Sequence, residues 1–124
     1  MALKSAVIAA GILVSSAAFA AEVKITVLYG QPKSAEEFDK YYFEKHMPMV
    51  LATLKAHGMT RYEVDRGLSG VEPGSAPAYL CIGRCYFETL EGFQSGFADH
   101  GAELAADIPN YTNAEVVLQV SETT

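Results

Sequence analysis

The densest amphipathic pattern in the chain runs from Ser34 to Leu54, SAEEFDKYYFEKHMPMVLATL. Ala35, Phe38, Tyr42 and Met49 fall along one stripe at helical spacing, and Phe43, Met47, Val50 and Leu54 along an adjoining one. Glu36, Lys40 and Glu44 lie outside both. Ser34 followed by Glu37 is a capping box, in which the serine accepts from the helix start and the glutamate reaches back. Pro48 has no N–H to donate and crowds the carbonyl four residues earlier, a cost of about 3 kcal/mol in an ordinary helix interior, so the helix should kink or restart there. His46 stands just before that break.

On either side the period changes to two. Ala21 to Tyr29 alternates as a first strand, and Gly30 to Lys33 turns the chain into the helix. Gly58 stops the helix, and Met59 to Arg66 is a second strand whose polar side carries Arg61, Glu63 and Asp65. That side faces either solvent or a polar cavity. Gly67 to Pro77, rich in glycine and proline, reads as a mobile loop and the best candidate for a lid or a partner-contacting segment. Ala78 to Glu88 is a third strand with both faces mostly apolar, as in a central position; Arg84 is its exception and calls for a carboxylate or a ligand. Thr89 to Ala106 is a second helix with Leu90, Phe93, Phe97 and Leu104 on its apolar stripe, and Glu115 to Ser121 a fourth strand. The order β-α-β-β-α-β predicts an α+β, ferredoxin-like fold, a four-stranded antiparallel sheet with two helices on one face.

Composition sets the boundaries of that domain. Lys4, the apolar run Ala6 to Val14 and the A-x-A sequence Ala18-Phe19-Ala20 make residues 1–20 a secretory signal peptide, with 21–124 as a single module that is periplasmic or secreted and has no membrane segment after cleavage. The signal peptide contains one of the nine Lys and Arg and none of the fifteen Asp and Glu. The remaining acidic surface has no basic stripe and argues against nucleic acid as a partner. Cys81 and Cys85 are the only cysteines. Four residues apart on one strand, they stand roughly 13 Å from each other, beyond the roughly 7 Å that a disulfide tolerates, so both are expected as buried free thiols.

Candidate chemistry centres on His46, whose unperturbed pKa near 6.5 suits it to give or take a proton at neutral pH. From the residues alone, His46 serves either as a pocket acid/base or as a helix-end group satisfying carbonyls at the break. Asp39, seven residues earlier on the same helix side, either orients His46 or is a solvated charge. Tyr42 and Tyr41 either orient a ligand or pack. Tyr79 and Arg84 lie on opposite faces of their strand. His57, and His100 beside Asp99, make no recognised metal spacing, and no phosphate loop, dinucleotide fingerprint or serine elbow is present; no metal or cofactor site is expected.

A strand ending in LYG followed by FDKYYFEKHMP resembles the signature segment of the EthD family, named after a protein encoded with an ether-degrading cytochrome P450 system. AYLCIGRCYFETLEGFQSGF and ADIPNYTNAEVVLQV resemble that family's third strand, second helix and last strand. The resemblance implies a homodimer, a dimeric α/β barrel in which two sheets meet face to face, with a pocket between sheet and helices toward which His46 looks. It implies as function a cofactor-independent isomerase or oxygenase, or an oxidoreductase, acting on a small hydrophobic or aromatic molecule with His46 as general acid/base. A carrier or accessory protein to a redox system is the alternative, and a haem protein with His46 as axial ligand a third.

Overall fold

The computed structural model describes residues 22–124; the expected signal peptide lies outside them. Strands β1 (Val23–Tyr29), β2 (Met59–Arg66), β3 (Cys81–Phe87) and β4 (Val116–Glu122) form one sheet in the order β2-β3-β1-β4, with each neighbouring pair antiparallel. Between β1 and β2 lie α1 (Ala35–Tyr41), a π-helical turn (Tyr42–His46), α2 (Met47–Leu54) and a 3-10 turn (Lys55–His57). Between β3 and β4 lie α3 (Leu90–Asp107) and a second 3-10 turn (Ile108–Asn110). The fold is the ferredoxin-like α+β arrangement, with the first of its two helices built in pieces.

Local chemistry explains the joints. Ser34 Oγ accepts from the Glu37 N–H at 3.1 Å, half of the capping box. Gly58 closes the first helical segment with φ of 92°, a left-handed conformation that glycine adopts without a Cβ penalty. Thr89 caps α3 by accepting from the Gly92 N–H at 3.0 Å. The break foreseen at Pro48 takes the form of the π turn. Met47 donates five residues back to Tyr42, and the α-helix restarts with Pro48 in its first turn, where a missing N–H leaves no intrahelical bond unmade.

That wider turn takes one additional residue and so swings everything after it by roughly 100° relative to an uninterrupted α-helix. Phe43, expected on the inner stripe, is consequently 41% exposed, whereas Tyr42, His46, Met47, Val50 and Leu54 point inward. They meet the inner sheet face, from which Ile25, Tyr29, Cys81, Cys85 and Phe87 are buried. The two cysteines are free thiols on that same face. Tyr29, Phe38, Tyr42 and Tyr111 form an aromatic cluster with centroids 4.9–5.8 Å apart, each pair worth about 0.5–1.5 kcal/mol beyond its buried area.

The opposite sheet face is polar along β2 and β3. Arg84 finds its carboxylate in Asp65, the Tyr86 hydroxyl donates to Glu63 at 2.7 Å, and the Arg61 guanidinium lies 3.7 Å from the centroid of the Tyr86 ring. The polar side of β2 thus faces away from the helices rather than into a cavity. Residues 67–79 are tied at their base by the Gly67 N–H to the Leu80 carbonyl at 2.8 Å. Leu68 and Val71 stand fully out from that loop.

Candidate functional site

Between the inner sheet face and the helices lies an apolar cavity of about 120 Å³, walled by Ile25, Val27, Tyr29, Tyr42, His46 and Gly83 with side chains from α2 and α3. No residue of the 67–79 loop lines it, so a lid role for that loop finds no support. The π turn delivers two of the polar wall groups, Tyr42 and His46, whose rings lie 5.9 Å apart at an interplanar angle of 20°.

His46 is 5% exposed, and its Nδ1 stands 2.9 Å from Oδ2 of Asp107, the last residue of α3. Burial pushes the Asp107 carboxyl upward, but donors outweigh it: the Tyr41 hydroxyl at 2.6 Å, His46, and the Asn110 amide at 2.9 Å together hold it below the ordinary carboxylate value. Asp107 is therefore an acceptor at neutral pH, and Nδ1 of His46 carries the proton that it accepts. Burial pulls the His46 pKa below 6.5 against the opposing hydrogen bond and charge of Asp107. The ring is thus neutral near pH 7 with a lone pair on Nε2, which has no hydrogen-bond partner among the described residues. This is the arrangement of a general base that becomes a general acid once protonated.

The carboxylate expected beside His46 was Asp39, and the structure corrects this. Asp39 is paired with Arg66 at 2.5 Å on the surface. Seven residues place two side chains on one side of an α-helix only if the helix is continuous, and the π turn rotates His46 away by about one residue's angle. The helix expected over Thr89 to Ala106 stops one residue short of Asp107, which the structure makes the last residue of α3. One signal was available: an acid in the last turn opposes the helix dipole, so its presence there asks for another partner.

Tyr42 is completely buried, and its hydroxyl meets no partner at hydrogen-bond geometry among the described residues. The Tyr29 hydroxyl, to which it is electrostatically coupled, is bonded to the Tyr111 hydroxyl at 2.9 Å instead. Burial, foremost, pushes the Tyr42 pKa far upward, so the group is an O–H donor at any physiological pH. It lies over Gly83, where a Cβ would come within 2.5 Å of the hydroxyl oxygen. Only glycine at this register position leaves the tyrosine its place. Tyr41, the other candidate, has its hydroxyl committed to Asp107. Cys85 lines the cavity, but burial raises its thiol to about 12, as it does that of Cys81, so neither is a ready nucleophile.

Comparison with known proteins agrees with this architecture. The model of the EthD domain matches residues 30–115, a span that contains Tyr42, His46, Gly83 and Asp107. The crystal structure of an EthD-like protein from Ralstonia eutropha is 36% identical, covering 83% of this chain and 92% of that one with a TM-score of 0.73. An uncharacterized 11.0 kDa protein of Rhodococcus erythropolis, from the thcB-thcC intergenic region, is 26% identical over 77% of this chain and 88% of its own. A dimeric ferredoxin-like protein from an uncultured marine organism, 11% identical over 84% of this chain and 94% of that one, shares the fold with a TM-score of 0.57. By the match over most of its length and by its likeness to the Ralstonia structure, the chain belongs to the EthD family.

Proposed function

We propose that this protein binds one small, neutral, mostly apolar molecule in the cavity and moves a proton on it, with His46 as general acid/base. The observation that carries the reading is the His46–Asp107 pair at the wall of an apolar cavity that is also lined by Tyr42, whose buried hydroxyl has no partner among the described residues. A cavity of 120 Å³ suits a compound of about one ring, since a void near 150 Å³ accepts benzene. Nicotinamide dinucleotides, flavins and porphyrins are far larger, so a reading that seats one of these groups inside this cavity fits poorly.

In the proposed reaction a carbonyl or phenolic oxygen of the ligand accepts from Tyr42, and Nε2 of His46 takes a proton from the carbon next to that carbonyl, or the proton of the phenolic O–H itself. The electron pair left behind delocalises onto the oxygen held by Tyr42. The imidazolium, steadied by Asp107, returns the proton to another atom of the ligand and completes an isomerisation. Proton abstraction is equally the first step of a cofactor-free oxygenation. Tyr42 supplies a donor already in place where negative charge grows, and Asp107 plays a positioning part.

Two further elements belong to the proposal. Export rests on residues 1–20, and a homodimer rests on the sheet face away from the helices, where Leu28 and Ile82 are only partly covered, and on the dimeric state of the marine ferredoxin-like protein. The test is to purify the mature chain, identify any retained molecule by native mass spectrometry, and soak crystals with phenol and with benzene. Phenol seated with its oxygen at Tyr42 and His46 supports the reading. Phenol and benzene both excluded would overturn it, and a retained ligand bound tightly but never converted would favour a carrier.

A further inference from the structure

Outside the cavity, a second set of side chains converges where the first helical segment ends. His57, the last residue of the 3-10 turn, meets Asp99 and His100 of α3, and one ligand atom from each lies within 4.8 Å of the other two. We propose that His57, Asp99 and His100 bind a divalent d-block cation of the Zn²⁺, Co²⁺ or Ni²⁺ type. This site is separate from the His46 pair and rests on different observations.

Three features support it. The first is that each ring has its Nδ1 engaged, which leaves its Nε2 without a hydrogen bond among the described residues. His57 Nδ1 is 3.2 Å from the Ser95 hydroxyl, and His100 Nδ1 is 2.7 Å from a Glu103 carboxylate oxygen. Metal-binding histidines characteristically hold one nitrogen this way while the other ligates, and a carboxylate behind the ring is the commonest form. His57 Nε2 then stands 3.8 Å from Asp99 Oδ2. The second feature is that the approach is built by backbone contact rather than by chance rotamers. A Cβ at Gly92 would fall 2.3 Å from the His57 carbonyl oxygen, and one at Gly96 would lie 3.1 Å from the His57 Cβ. These two glycines, one helical turn apart, let the 55–57 turn lie directly on α3, and His100 sits one turn further along the same stripe. The third is electrostatic: with the imidazoles neutral, as metal binding requires, Asp99 and Glu103 balance a dication.

The geometry is near that of an occupied site without matching it. An ion with bonds of about 2.0–2.1 Å sets tetrahedral ligand atoms roughly 3.4 Å apart, so the three side chains must draw together by about 1 Å. The side chain of Asp99 is 62% exposed and free to move. Two nitrogens and one oxygen leave a position for water, so the bound ion would clamp the turn to α3 and keep an open coordination site. The sequence showed no metal motif because its ligands come from two elements more than forty residues apart, joined by the packing at Gly92 and Gly96.

The experiment is calorimetric titration of the tag-free mature chain with Zn²⁺, repeated with Co²⁺ while its visible absorption is followed. The expected result is saturation at one ion per chain. His57→Ala and His100→Gln should each weaken binding at least about tenfold, and Glu103→Gln should weaken it through the ring that it orients, an effect typically of about 10–100-fold. His46→Ala should leave it unchanged. Binding that never saturates, or that survives loss of both His57 and His100, would overturn the proposal, as would loss of the ion in His46→Ala. Should His57→Ala fail to fold, His100→Gln and Asp99→Asn on the exposed side of the cluster decide it alone.

Discussion

His46 and His57 stand eleven residues apart, one closing the π turn and the other the 3-10 turn, and each has its Nδ1 held by a side chain of α3. Their surroundings give them opposite chemistry. His46 is buried at the wall of an apolar cavity with a carboxylate behind it, which leaves the lone pair of its other nitrogen in apolar surroundings. His57 has a hydroxyl behind it, and a carboxylate and a second imidazole in front, at a surface where a hydrated ion can arrive. A histidine's role is thus set by what surrounds its second nitrogen, and glycines shape the packing beside it in both places. At Gly83 the missing side chain makes room for the Tyr42 hydroxyl; at Gly92 and Gly96 the room is filled by the His57 backbone.

The largest test of this contrast is an exchange of losses. Once a substrate is identified, His46→Ala should lower turnover by roughly 10²–10⁴-fold, the usual contribution of a positioned acid/base, while His57→Ala leaves it near wild type. In the wild-type protein kcat/KM should climb from acid toward a plateau with its midpoint below pH 6.5, because burial lowers the His46 pKa and the neutral ring is the base. The same shift carries a stability consequence. Below 6.5 the unfolded chain takes up the proton before the folded one does, so stability falls as pH drops through that window and is steady above it. Equal turnover in His46→Ala and wild type would remove the distinction between the two histidines.

Gly83→Ala comes next in size. The added methyl would stand 2.5 Å from the Tyr42 hydroxyl oxygen, and Tyr42 is fully buried with no open path away. Overpacking of this kind costs about 1–3 kcal/mol, to be read from urea unfolding midpoints, and it should abolish phenol binding. Unchanged stability together with unchanged phenol binding would mean that Tyr42 moves freely and that the cavity is softer than its walls suggest.

Much of this molecule was legible in the sequence, and the boundary between what was and was not has a physical form. Met59–Arg66 as a strand, Ser34 and Thr89 at helix starts and Gly58 at a helix stop are decided by neighbours within four residues. The break at Pro48 was visible for the same reason, but its resolution as a π turn depends on which side chains the sheet accepts. From that one unseen residue of rotation follow the exposure of Phe43 and the turning of His46 away from Asp39. Asp107 lies 61 residues from His46 and Gly83 lies 41 from Tyr42, and contacts of that range leave little local trace. His46 itself was found because a titratable ring before a helix break is unusual in a stretch otherwise given to packing.

Tyr42→Phe has the smallest expected effect and the most particular signature. In the free protein the hydroxyl is buried without a partner, a condition that costs roughly 1–3 kcal/mol in general. Removing it should therefore leave the fold unharmed or stabilise it by about 1 kcal/mol, against the usual direction for a core substitution. If the hydroxyl is held in reserve for a ligand oxygen, the same variant should bind phenol less tightly while binding benzene as before. Stability and phenol affinity then move in opposite directions, the sign expected of a group kept for function at the expense of the fold. A destabilised Tyr42→Phe would instead show that the hydroxyl has a partner in solution, and the role of Tyr42 as the donor facing the ligand would pass to Tyr29, the other tyrosine of the cavity wall.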